Sequence, residues 1–108
     1  MEIKAAVTAL AALAQETRLA AYRVLVAAGE SGLAAGEIAA QLGVPPATLS
    51  FHLKELAHAG LVKSRNAGRF VIYAADYAVM TGLIGFLSEA CCAGQPQRCL
   101  PAAPPART

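Results

Sequence analysis

The chain has 108 residues, 56% of them hydrophobic and only 15% charged, with a net charge of +2. That length supports one small domain with a single core and leaves little volume for the enclosed pocket most enzymes need, so binding rather than catalysis is expected. A composition dominated by Ala and Leu, without Trp, predicts helices with more apolar surface than a monomer this small can hide, and hence a partner subunit.

In chain order, Ile3, Val7 and Leu10 recur at helical spacing within residues 2–13, which predicts a first helix. A second is expected over 16–28, with Leu19, Tyr22, Val24, Leu25 and Val26 as its apolar face and Gly29 as its stop. Ser31 and Gly32 make a turn, and a short third helix runs over 36–42, with Ile38 and Leu42 one turn apart and Gly43 ending it. Gly43-Val44-Pro45 is then a three-residue connection. Pro46 suits the first position of a fourth helix, because the N–H it lacks has no intrahelical partner there. Leu49, Leu53 and Leu56 form that helix's inward stripe and Gly60 ends it. Two helices joined by a short Gly-containing turn match a helix-turn-helix.

Residues 61–65 and 69–74 are rich in β-branched and aromatic side chains, and Asn66-Ala67-Gly68 between them supplies turn chemistry, so a β-hairpin, or wing, is expected. Asp76 is placed to cap a last helix through about Ala90. Val79, Met80, Leu83, Ile84, Phe86 and Leu87 wrap most of its circumference. A helix apolar nearly all round is buried, and one this short does not reach the roughly 20 apolar residues that span a bilayer. Burial against a second subunit, with the first helix as companion, is the expectation. The expected class is mainly α with a β-hairpin wing: a winged helix-turn-helix over residues 1–90, a cysteine segment over 91–99 and a Pro-rich, disordered tail over 100–108. The N-terminus shows no basic stretch followed by an apolar run and cleavage site, so a cytoplasmic protein without a membrane partner is expected.

Charge is unevenly distributed. Residues 1–44 sum to −1 and residues 74–108 to zero, whereas residues 45–73 carry Lys54, Lys63, Arg65 and Arg69 against Glu55 alone, a net +3. A polyanion-binding surface needs that concentration. At 100° per residue the fourth helix turns Ala47, Thr48, Phe51, Lys54, Glu55 and His58 away from its leucine stripe. Thr48 and Ser50 carry hydroxyls for phosphates or base edges, Phe51 is suited to a thymine methyl, and Lys54 to a phosphate. His52, at the edge of the stripe, is placed either to touch DNA or to hydrogen-bond within the fold. Lys63, Arg65 and Arg69 belong to the hairpin, with the two arginines flanking its turn and aimed at phosphates or the minor groove.

Residues from about Leu10 to Leu87 resemble the ArsR/SmtB family of winged-helix repressors. The resemblance is carried by Ala14-Gln-Glu-Thr-Arg-Leu19, Gly36-Glu-Ile-Ala-Ala-Gln-Leu-Gly43, Leu49-Ser-Phe-His-Leu-Lys-Glu-Leu56, Ala59-Gly-Leu-Val62 and Gly68-Arg-Phe-Val-Ile-Tyr73. It implies a homodimer through the first and last helices, a palindromic double-stranded operator with about 34 Å between the two recognition helices, and release of DNA when an inducer binds.

The chain's three cysteines, Cys91, Cys92 and Cys99, fall within nine residues. Clustered thiolates select soft metals and metalloids. The third-helix Cys-x-Cys of some arsenic sensors is missing, since Ala39, Ala40 and Gln41 stand there, and Ala78 replaces a histidine of the zinc sensors' last-helix site, although Asp76 matches its first carboxylate. The remaining trio is similar to the C-terminal three-cysteine site of arsenite-responsive members. Structural zinc takes four ligands, whereas three thiols suit As(III) or Sb(III), the expected inducers. Adjacent helical side chains diverge, so the helix has to end or distort at Cys91-Cys92, as Gly94 and Pro96 allow. A disulfide switch between Cys92 and Cys99, or a sensor of another soft metal on the same fold, is the alternative. The absence of a phosphate-cradling Gly loop or nucleophile motif argues against an enzyme.

Overall fold

The computed structural model describes residues 1–95. Cys99, Arg98 and the Pro-rich tail lie outside the described residues. The element order is α1 (Ile3–Leu13), α2 (Glu16–Ala28), β1 (Leu33–Ala34), α3 (Ala35–Leu42), α4 (Pro46–His58), β2 (Val62–Ala67), β3 (Phe70–Ala75), α5 (Tyr77–Leu87) and a four-residue turn, α6 (Cys91–Gly94). This is the expected winged helix-turn-helix.

Leu25 of α2, Ile38 of α3, Leu49, Leu53 and Leu56 of α4, and Leu61 just after it are the largest fully buried side chains. They form the centre of the core, onto which the hairpin lays Val62, Tyr73 and Ala75. The α3–α4 corner is closed by Gly43 in the left-handed conformation and by the Val44 N–H donating to the Ala39 carbonyl at 3.2 Å. At the start of α3, the Glu37 carboxylate accepts from the Ala34 N–H at 3.0 Å. Asp76 caps α5 as expected: its Oδ1 accepts from the N–H groups of Ala78 and Val79 at 3.1 and 3.4 Å. The Tyr77 hydroxyl donates to the Val26 carbonyl at 2.9 Å and so fastens the first turn of α5 to the end of α2.

Strand β1 was not expected. It pairs antiparallel with β3 through Leu33–Tyr73 and Ala34–Ile72, giving a sheet of order β1-β3-β2. Two residues have no detectable period, so its existence depends on tertiary pairing. Gly32 makes the approach possible, because a Cβ there would collide with the Tyr73 carbonyl oxygen.

The outer helices are less buried than their apolarity suggests. On α1 the buried residues are Ala6 and Ala9, while Ile3, Val7 and Leu10 are exposed. On α5 only Leu83 is buried; Val79, Met80 and Phe86 pack partly against the core, and Ile84 and Leu87 are 58% and 61% exposed. The helix also ends earlier than the expected Ala90, at Leu87. Ser88 is its C-cap, with both its N–H and its hydroxyl donating back to the Ile84 carbonyl, at 3.0 and 2.8 Å.

Tyr22 is buried, and among the described residues its hydroxyl has no hydrogen-bond partner. Burial first, then the Asp76 carboxylate and Tyr77, push the phenol's pKa above its ordinary value of 10.0. The folded state therefore holds this proton longer than the unfolded chain, so its contribution to stability is full below about pH 10 and is lost as pH rises through the folded-state value. Replacing the orphan hydroxyl in Tyr22→Phe is expected to leave stability unchanged or raise it by about 1 kcal/mol in urea unfolding. The variant should also lose less stability than the parent between neutral and strongly alkaline pH.

Candidate nucleic-acid interface and thiol pair

The three buried leucines of α4 set its rotation, and the opposite half of the helix is solvent-facing. Thr48, Phe51 and Lys54 are exposed, with Phe51 59% so, while Ser50 and His52 are half-buried. Pro46 occupies the first turn, and the following N–H groups, of Ala47 and Thr48, have no intrahelical acceptor by geometry. The exposed N-terminal half of α4 thus offers backbone donors, a hydroxyl, an aromatic ring and an ammonium on one face.

His52 is bound into the fold through Nδ1. The Arg18 Nη1 lies 3.3 Å from it, and since a guanidinium has no lone pair to offer, the ring nitrogen is the acceptor. Arg18 Nε donates to the Ala12 carbonyl at 2.6 Å, and the Arg18 N–H donates to the side chain of Gln15, which caps α2, at 2.9 Å. One residue therefore joins the end of α1, the start of α2 and the middle of α4. The His52 ring stands edge-on to Phe51, centroids 5.5 Å apart at 66°. Sequence reasoning did not single out Arg18; the available signal was a cation in the first turn of an otherwise apolar helix, next to a Gln cap.

The wing differs in detail from expectation. Asn66 and Ala67 belong to β2, and the connection is the two-residue turn Gly68-Arg69 between the paired Ala67 and Phe70. Gly68 has φ +64 while Arg69 does not enter the left-handed region, the pattern of a hairpin turn needing Gly at its first central position. Arg69 thus sits in the turn itself. Arg65 does not flank the turn: it pairs across from Ile72, and its Nη2 donates to the Ser31 carbonyl at 3.1 Å. Lys63 lies further down the ribbon, opposite Ala74. All three cations are exposed and share the hairpin that follows α4.

At the other end of the chain the backbone changes hand. Ala90, Cys92 and Ala93 have φ of 57°, 54° and 56°, whereas Cys91 stays outside the positive-φ region. Left-handed conformation costs a non-Gly residue on the order of 1–2 kcal/mol. The distortion expected at the cysteine pair is present, and it brings Cys91 Sγ to 3.6 Å from Cys92 Sγ. Cys91 is a half-buried free thiol, and Cys92 is disulfide-bonded. Among the described residues no cluster of three His, Cys, Asp or Glu side chains is assembled; the expected third ligand, Cys99, lies outside them.

A compact helix-turn-helix followed by a basic hairpin defines a winged-helix DNA-binding protein. A helix-turn-helix domain model matches residues 13–65. Among solved structures, HlyU from Vibrio cholerae N16961 is 31% identical, with 85% of this chain and 99% of that one aligned and a TM-score of 0.67. A possible transcriptional regulator for arsenical resistance is 28% identical over 73% of this chain and 79% of its own, with a TM-score of 0.64. The homodimeric winged helix-turn-helix domain of a possible ArsR-family regulator from Mycobacterium bovis is 25% identical over 82% of both chains, TM-score 0.64. No curated protein matched. The chain belongs to the ArsR family of winged helix-turn-helix transcriptional regulators. Among the described residues no helix is long and apolar enough to cross a membrane.

Arg18→Ala leaves the Ala12 carbonyl and His52 Nδ1 without their donor. The expected cost is about 1–3 kcal/mol in urea unfolding. Arg18→Lys is expected to recover little of it, because one ammonium does not reproduce a rigid fork bonding in two directions.

Proposed function

We propose that this regulator is an arsenic-responsive repressor that binds a palindromic operator as a homodimer and releases it when As(III) or Sb(III) is captured by Cys91, Cys92 and Cys99. The observation that carries the reading is the sulfur pair at 3.6 Å, formed where the backbone changes hand just after α5. Two bonds of about 2.3 Å from soft ion to thiolate span up to about 4.6 Å, so this separation suits two sulfurs sharing one ion once the disulfide of Cys92 is reduced. A trivalent metalloid supplies three bonds to thiolates and a lone pair in the fourth direction, which suits a set of three cysteines better than a tetrahedral ion. The resistance-linked relative supports the same assignment by similarity.

The chain's own part is mechanical. Cys91 and Cys92 sit four and five residues beyond the end of α5, and drawing Cys99 towards them changes the segment that follows this helix. Helix α5 touches α1, and both carry unmatched apolar side chains: Ile3, Val7 and Leu10 on one, Ile84 and Leu87 on the other. A second copy of the chain is the occupant that a two-fold regulator supplies for this face, as in the homodimeric relative. Repacking it alters the spacing of two recognition helices, for which a coupling of a few kcal/mol suffices. Thr48, Ser50, Phe51, Lys54, Lys63, Arg65 and Arg69 are the residues assigned to DNA, with His52 contributing by holding Phe51 in place.

One observation favours a second reading, a thiol redox switch on the same fold: Cys92 is disulfide-bonded. A gel-shift titration with arsenite under excess reductant separates the two. The metalloid reading expects release from the parent protein and none from the Cys91→Ser/Cys92→Ser/Cys99→Ser variant; release by oxidant alone, with no arsenite effect under reductant, supports the redox switch instead. For the dimer, Val7→Glu combined with Ile84→Glu is expected to give a monomer by sedimentation and to lower operator affinity by at least about tenfold, since each half-site then binds alone.

A further inference from the structure

The wing tip carries a side chain that neither the fold nor the electrostatics explains. Strand β1 covers β3 only at Ile72 and Tyr73, so the Asn66–Val71 and Ala67–Phe70 pairs extend past the third strand as a bare two-stranded ribbon. Phe70 is 61% exposed there and Val71 40%, and Arg69 stands beside Phe70 in the turn. Apolar side chains this exposed at the free end of a short ribbon bury little area there and so contribute little to stability.

Resting on the DNA-binding reading above, we infer that Phe70 is an apolar wedge that enters the minor groove beside each recognition site and partly unstacks one base step. Three features support it. Exposed Lys63 and Arg69 lie on the same hairpin, and residues 45–73 carry a net +3, so the surface around Phe70 complements a polyanion. The minor groove, about 6 Å wide, is too narrow for a two-stranded ribbon but admits single side chains, and the two-residue turn presents Arg69 and Phe70 as neighbours at its end. Phe is among the apolar side chains that insert between base steps and kink the duplex toward the major groove. The device would also read sequence without a base-edge hydrogen bond: TA and CA/TG steps unstack most easily, so each operator half-site is expected to have such a step under the wing.

The test uses the full-length reduced protein and a duplex that the parent protein selects from a randomised pool, labelled at both ends for energy transfer. The parent is expected to shorten the end-to-end distance, and Phe70→Ala to abolish that bend and bind about tenfold more weakly, with an unchanged dependence of affinity on salt. Phe70→Leu, still a wedge, should keep most of the bend. Arg69→Ala should keep the bend and lower the salt slope by about 0.9 for each phosphate that is no longer neutralised. Replacing the flanking pyrimidine–purine step by an A-tract should penalise the parent and spare Phe70→Ala. Because the side chain is exposed, Phe70→Ala should melt like the parent. A straight parent complex, or a Phe70→Ala complex bent and bound like the parent's, overturns the wedge while leaving the DNA-binding reading intact; a parent that selects no duplex overturns both.

Discussion

The rotation of α4 about its own axis is the constraint on which the rest of the molecule depends. Leu49, Leu53 and Leu56 are all fully buried, and truncating any one to Ala would cost on the order of 2–5 kcal/mol. A turn of the helix by one residue would bring such a side chain into water and a polar one into the core. The direction in which Thr48, Phe51 and Lys54 point is therefore decided from the opposite side, by packing that never meets DNA. Arg18 adds a lateral restraint through His52, so the helix is held by apolar contacts on one side and by a charged hydrogen bond at its edge.

The outer helices invert the usual relation between size and burial. Helix α1 buries Ala6 and Ala9 and exposes Ile3, Val7 and Leu10. Small residues allow α1 to lie close against α2 and α4, and the larger side chains are left for a surface that the single chain does not supply. Helix α5 repeats the pattern with Ile84 and Leu87. Apolar groups at that density on two touching helices are the mark of an interaction face rather than scattered surface residues.

Much of the fold was legible because helical periodicity and punctuation agreed. Helix α2 runs over the expected residues, α4 starts at the expected proline, and Asp76 caps α5 through its carboxylate. What the chain concealed depends on contacts distant in sequence. Strand β1 exists only because Gly32 lets the backbone approach Tyr73. The wing turn is two residues long because strand pairing continues through Asn66 and Ala67, which turn chemistry alone would assign to the loop. The role of Arg18 depends on His52, 34 positions away. At the candidate DNA face the residue types were readable but their partners were not: His52 makes an internal bond through Nδ1, and Arg65 is anchored to Ser31. At the thiols, a break in the helix was predictable from two adjacent cysteines, but its hand and its early onset at Ser88 were not, since no glycine or proline between Ser88 and Cys92 marks them.

Strand β1 passes into α3 with no intervening residue: Ala34 ends the one and Ala35 begins the other. Strand β1 and the first helix of the helix-turn-helix are consequently a single continuous piece of backbone, pinned by hydrogen bonds to the hairpin strand β3 at one end and packed on α4 at the other. A load applied at the ribbon would therefore reach α3 as a tilt through β1, so wing and helix-turn-helix are built to move as a lever with a shared fulcrum and not as two independent parts.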